Sequence, residues 1–192
     1  MQTSPNSIDH HDNSVIAETQ AWIEKAVIGL NLCPFAKAVY VKQQIRYVVS
    51  AANDVALLAA ELEAELLALQ AADPAKTDTT LLILPDTLGD FFDYNDFLTV
   101  ADNLVEELEL DGDIQIASFH PDYQFAGTLA DDIENYTNRS PYPILHLLRE
   151  TSIARAVEAF PEAEMIFEKN METLRKLGHR GWQELDLKPK TR

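Results

Sequence analysis

The chain has 192 residues, a net charge of -17 and a pI near 4.5. That length suits one domain with a substantial core, and 46% hydrophobic with 24% charged residues is an ordinary globular mixture. The acidity argues against a nucleic-acid partner, which needs clustered Lys and Arg, and against an anionic membrane surface.

Mean hydropathy is -0.16, in keeping with a soluble chain. The single cysteine, Cys33, rules out an intrachain disulfide and suits a reducing compartment. The opening "MQTSPNSIDHHDNS" lacks the basic-then-apolar order of a secretory signal, and no apolar run reaches the length of a membrane span. A cytoplasmic location is expected.

Residues 1–13, which include His10 and His11, read as a flexible N-terminal tail, 14–185 as a single globular domain and 186–192 as a C-terminal tail. Ser14 can cap a first helix with Ile16, Ile23, Val27 and Leu30 on one face, ending near Gly29–Asn31. The alternation in "VYVKQQIRYVV" (39–49) predicts a half-exposed strand suited to a sheet edge. Asn53 then caps a helix with Val55, Leu58, Leu62, Leu66 and Leu69 inward, closed by Asp73–Pro74. "TTLLILP" (79–85) reads as a strand buried on both faces. Residues 96–110 are helical, with Phe97, Ala101, Leu104 and Leu108 inward, and Gly112 turns the chain into a strand at 114–119. After an irregular stretch come helical segments at about 143–159 and 162–177, the second opened by Pro161 and capped by Gly178. Arg175 and Lys176 in its last turn suit the helix dipole. This order predicts an α/β (or α+β) fold with a small three- to four-stranded sheet, a ferredoxin-like two-layer sandwich being the alternative.

Three stretches can carry chemistry. In "NLCPFAK" (31–37), Pro34 suits the first position of a helical turn, which would make Cys33 its cap. Backbone N–H groups and Lys37 then favour the thiolate, a catalytic candidate. The alternative is a small buried hydrophobe. In "FHPDYQF" (119–125), His120 sits beyond the end of a strand, where ligand crevices of open α/β sheets lie, and is the acid–base candidate. The alternative is a ring packed on Tyr123 or Phe125 and bonded to a carbonyl. In "DIENYTNRSPYPILHLLRE" (132–150), Ser140 or Tyr142 is expected to start a helix, which places Asn138, Arg139 and Ser140 at an anion-accepting N-terminus. The alternative pairs Arg139 with Asp131, Asp132 or Glu134. On that helix His146 would share a face with Glu150 and with Tyr142. A His-x-x-x-Glu pair can donate two metal ligands, but the usual zinc spacings are absent. Tyr123, Asn135, Asn138, Arg139, Ser140, His146 and Arg149 make up the ligand-binding candidates. Phosphate-loop, dinucleotide, serine-elbow and zinc-protease signatures do not occur, and no cofactor class is indicated.

Taken together, "AWIEKAVIGLNLCPFAK" (21–37), "DYNDFL" (93–98), "ASFHPDYQFAGT" (117–128), "NYTNRSPYPILHLLRE" (135–150) and "LGHRGW" (177–182) resemble the uncharacterised domain of unknown function 1415 family. The resemblance spans about residues 15–182. It implies one cytoplasmic domain and brings no catalytic role to any residue.

The residues themselves favour a small-molecule enzyme or binding domain whose pocket, built from 119–150, accepts an anionic small molecule. The rival readings are a protein-interaction module with the Tyr/Pro-rich loop exposed, and a metal protein using Cys33, His120, His146 and Glu150.

Overall fold

The computed structural model describes residues 5–160 and 163–187. Residues 1–4 and 188–192 of the two expected tails, and Pro161, lie outside them. Helix α1 spans Pro5–Trp22 and runs into a π-helical turn at Ile23–Ile28. The helix therefore begins well before the expected Ser14 cap, and residues 5–13 are helical. A side chain at Gly29 would put its Cβ 2.3 Å from the Lys25 carbonyl oxygen, so the end of the turn requires glycine.

Helix α2 is Ala36–Val41 and strand β1 is Ile45–Val49. The strand expected from residue 39 is thus half its predicted length. Gln43, with φ +56°, is left-handed and breaks the alternating run in two. Helix α3 (Val55–Ala71) is capped by Asp54, whose side chain accepts from Leu57 N at 2.9 Å, one residue after the predicted Asn53. Its Leu58, Leu62, Leu66 and Leu69 are buried as expected, while Val55 is exposed. Strand β2 (Thr79–Ile83) is buried at every residue. Helix α4 (Phe91–Glu107) starts earlier than expected because the Asp90 carboxylate accepts from Phe92 N and Asp93 N. It buries Tyr94, Phe97, Ala101 and Val105, with Leu104 and Leu108 only partly buried. Gly112, at φ +82°, turns into strand β3 (Ile114–Phe119).

Residues Ile144–Arg149 form strand β4, and only Glu150–Ala159 is helix, α5. No helix starts at Ser140 or Tyr142. Helical residues run over Ile166–Glu184 (α6), but Gly178, at φ +66°, is non-helical and divides the run, so the first helix ends there as expected and a short second helix follows.

The sheet order is β1-β2-β4-β3. Strands β1 and β2 are parallel, and β4 runs antiparallel to both β2 and β3. This order is not ferredoxin-like, and helices cover both faces of the sheet. On one face α3 and α4 pack on Leu82, Leu84, Leu145 and Leu147. On the other, Val15, Trp22, Ile23 and Ala26 cover Leu81, Ile83, Tyr142 and Ile144, with Trp182 and Leu185 at the margin. The fold is α/β with a four-stranded mixed sheet between helical layers.

Candidate functional site

The segment between β3 and β4 carries most of the predicted residues, and hydrogen bonds bring several of them together. His120 N–H donates to Asn138 O at 3.2 Å, and Tyr123 N–H donates to His120 O at 3.1 Å. Arg139 Nε donates to Tyr123 O at 3.4 Å. The side chains face inward on their own loop.

His120 is fully buried. Its Nδ1 accepts from Asp122 N at 3.0 Å, which makes Nε2 the protonated nitrogen, donating to Leu88 O at 3.1 Å. The ring packs against Phe91 and Tyr94 of α4, at 5.4 and 5.1 Å between centroids. The packing partners differ from the expected Tyr123 and Phe125, but the ring and its carbonyl bond do a tie's work. Burial lowers its pKa, outweighing the Leu88 carbonyl and the nearby Asp122 and Asp90.

Asn135 is fully buried and organises the loop. Its Oδ1 accepts from Phe125 N at 3.0 Å and Thr128 Oγ1 at 2.8 Å, while Nδ2 donates to Leu129 O at 2.7 Å and, more weakly, to Ala130 O. Asn138 Nδ2 donates to Ser118 O, and Ser140 Oγ to Tyr142 O. Arg139 Nη2 donates to Ala130 O at 2.7 Å, and its guanidinium lies 4.2 Å over the Tyr136 ring. The backbone carbonyl of Arg139 accepts from Trp22 Nε1 at 2.9 Å, tying the loop to α1. This guanidinium bonds carbonyls rather than Asp131, Asp132 or Glu134.

The other predicted residues lie elsewhere. His146 points to the α1 face of β4, where Nε2 meets Thr79 Oγ1 at 2.7 Å. That hydroxyl donates to Leu147 O, so the imidazole N–H is the donor in the shared bond. Burial pushes the His146 pKa down to about 4. On a strand, His146 cannot make the expected helical pairs with Glu150 and Tyr142; the Tyr142 hydroxyl instead donates to Glu18 at 2.5 Å. Since His120 packs on α4, the two histidines sit on opposite sides of the sheet. Arg149 donates to Leu69 O and Ala72 O, closing the C-terminal turn of α3. Among the described residues no three His, Cys, Asp or Glu side chains converge as metal ligands.

The turn predicted at Pro34 forms, with Ala36 N donating to Cys33 O at 3.3 Å. Burial nevertheless raises the thiol pKa, against the opposing pull of the Phe35 and Ala36 N–H groups. This direction runs against the thiolate expected at Cys33. Iodoacetamide at pH 7.5 is expected to label Cys33 in the folded chain at least ~10-fold more slowly than in the urea-unfolded chain. Intact-mass kinetics check this, and equal rates would restore the reactive thiol.

Two open grooves lie outside these residues. The larger, about 500 Å³, runs between the loop and α6 and is lined by Phe125, Thr128, Asp132, Phe167, Met171 and Arg175 among others. The Phe125 and Phe167 rings meet edge-on at 6.0 Å. Arg175 Nε donates to Glu134 Oε1 at 2.7 Å, joining the two walls. The α6 wall escaped the sequence reading, which took Arg175 only as a partner of the helix dipole. Its one signal was Phe167, an aromatic residue that stays 52% exposed on a largely charged helix.

No helix among the described residues is long and apolar enough to cross a membrane. No curated protein and no solved structure is significantly similar to the chain. The sequence profile of one family, described as a protein of unknown function (DUF1415), matches residues 14–184. That match takes in the second half of the first helix, strands β1 to β4 and the last helix, and the chain belongs to this family.

Proposed function

We propose that this is a cytoplasmic small-molecule-binding domain whose ligand lies in the groove between the 125–134 loop and α6. The observation that carries the reading is the fixed loop wall. Buried Asn135 holds the 125–130 backbone in place, and the half-exposed Phe167 of α6 meets Phe125 of that wall edge-on beside the groove. Preformed clefts with an apolar body and a few polar groups at the rim are what small ligands use. In this reading His120, Asn138 and Arg139 hold the wall and do not touch the ligand. Glu134 is paired with Arg175 across the groove, which leaves Asp132 as the lining carboxylate without a cation and favours a neutral ligand with hydrogen-bond donors.

Indole, as a neutral aromatic probe, is expected to shift the backbone amide resonances of Phe125, Thr128, Phe167 and Met171 in a saturable titration. Phe167→Ala, at a half-exposed position, is expected to weaken the probe at least ~5-fold while leaving the fold intact. Absence of saturable shifts, or an unchanged affinity in the variant, would remove the reading. A protein partner on the same face is the competing reading, favoured by Leu129 at 74% and Met165 at 45% exposure beside the groove. It predicts no saturable indole response.

A further inference from the structure

The second groove, about 420 Å³, lies on another part of the molecule, between the end of α2, the 74–78 turn and α5. Lys42 and Arg155 line it from separate elements, with Gln44, Asp78 and Ser152. Some surface cations pair with a carboxylate, as Arg46 does with Glu65, Arg175 with Glu134, Lys176 with Glu172 and Arg180 with Glu184. Lys42 and Arg155 have no such partner among the described residues. Two cations without an ion-pair partner thus line one groove from separate elements.

Arg155 is also held in place. Its Nε donates to Thr151 O at 3.2 Å and its Nη2 to Ser152 Oγ at 2.9 Å, both within its own helix. These bonds fix the plane of the guanidinium and leave its Nη1 donors without a described acceptor. The one carboxylate in the lining, Asp78, accepts from Ser152 Oγ at 2.6 Å and makes no ion pair with either cation. The Gln44 amide donates to Pro74 O and Ala75 O, so the turn that forms the third wall is pinned to the strand side.

We propose that this groove binds a small phosphate-bearing molecule, with Lys42 and Arg155 on its phosphate oxygens. A planar carboxylate is met well by a single guanidinium fork, whereas a tetrahedral phosphate directs oxygens toward donors on different walls. A flexible ammonium on α2 opposite an oriented guanidinium on α5 suits the second shape. The Ser152 hydroxyl and the Gln44 amide hydrogens are already given to Asp78, Pro74 and Ala75, so the two cations alone carry the binding.

The test uses the full chain and inorganic phosphate, titrated at constant ionic strength against sodium chloride, with acetate as the planar control. Amide shifts are expected at Lys42, Gln44, Ser152 and Arg155, with an apparent Kd for phosphate at least ~5-fold below that for acetate. The double variant Lys42→Met/Arg155→Met is expected to weaken phosphate at least ~10-fold, with an unchanged thermal melt. Lys42→Arg is expected to retain binding. The assignment is overturned if phosphate shifts nothing in the groove, if chloride or acetate matches it, or if the double variant binds as well as the parent. Indole binding at the α6 groove reads out separately, so either site can fail without the other.

Discussion

Asn135→Ala is expected to destabilise the protein by about 3 kcal/mol, the largest effect of any single loop substitution. The side chain is fully buried, and its amide satisfies the Phe125 N–H, the Thr128 hydroxyl and the Leu129 carbonyl together. Removing it leaves those groups unpaired beneath the surface, at about 1–3 kcal/mol for each that water cannot reach. The sum is held down because the 125–130 backbone can open toward solvent. For a chain of this size the melting temperature should fall by roughly 6–12 °C. Urea denaturation measures the loss, and hydrogen exchange at Phe125 locates it. A change below about 1 kcal/mol would mean the loop is held by its aromatic contacts instead.

Acid is expected to weaken the fold through the two buried imidazoles. His146 has a folded pKa of about 4 against an ordinary 6.5, and His120 shifts in the same direction. For a base whose folded pKa is depressed, the unfolded chain takes up the proton first. Stability is therefore intact above about pH 6.5 and falls as the pH drops toward 4. The His146 ring is partly reached by solvent, so its share between pH 7 and pH 5 comes to about 1–2 kcal/mol. His146→Gln keeps an N–H for Thr79 Oγ1 and cannot titrate. Urea unfolding at pH 7 and pH 5 should show a smaller acid loss in this variant by that amount. An identical loss in both proteins would place the acid sensitivity in the carboxylates.

Where a segment buries one face or caps itself, the sequence was legible. The leucines of α3, the run of β2 and the Gly112 turn into β3 are readable because burial and turn chemistry repeat at a fixed period. Strand β4 was not. Ile144, Leu145, Leu147 and Leu148 fall at helical spacing, but they do so because a central strand is apolar on both faces, which erases alternation. That one error carried the expected site with it. Without a helix at 141–143 there is no N-terminus for an anion, and His146 turns to the other side of the sheet from His120. Gln43 shows a second limit, since a left-handed non-glycine residue is decided by what the next element packs against. His120 was placed correctly at a strand end. That its ring is closed off by Leu88 depends on a loop 32 residues back along the chain.

The place of β4 in the sheet sets a timetable. It is the last strand to be synthesised, yet it lies between β2 and β3 and hydrogen-bonds to both. Until residues 144–149 leave the ribosome, β3 has no partner and the apolar β2 has one open edge. A nascent chain of about three-quarters length thus carries an unpaired edge of the kind that drives aggregation. Holding chaperones should engage this protein late in translation, and release it once β4 has slid into the gap.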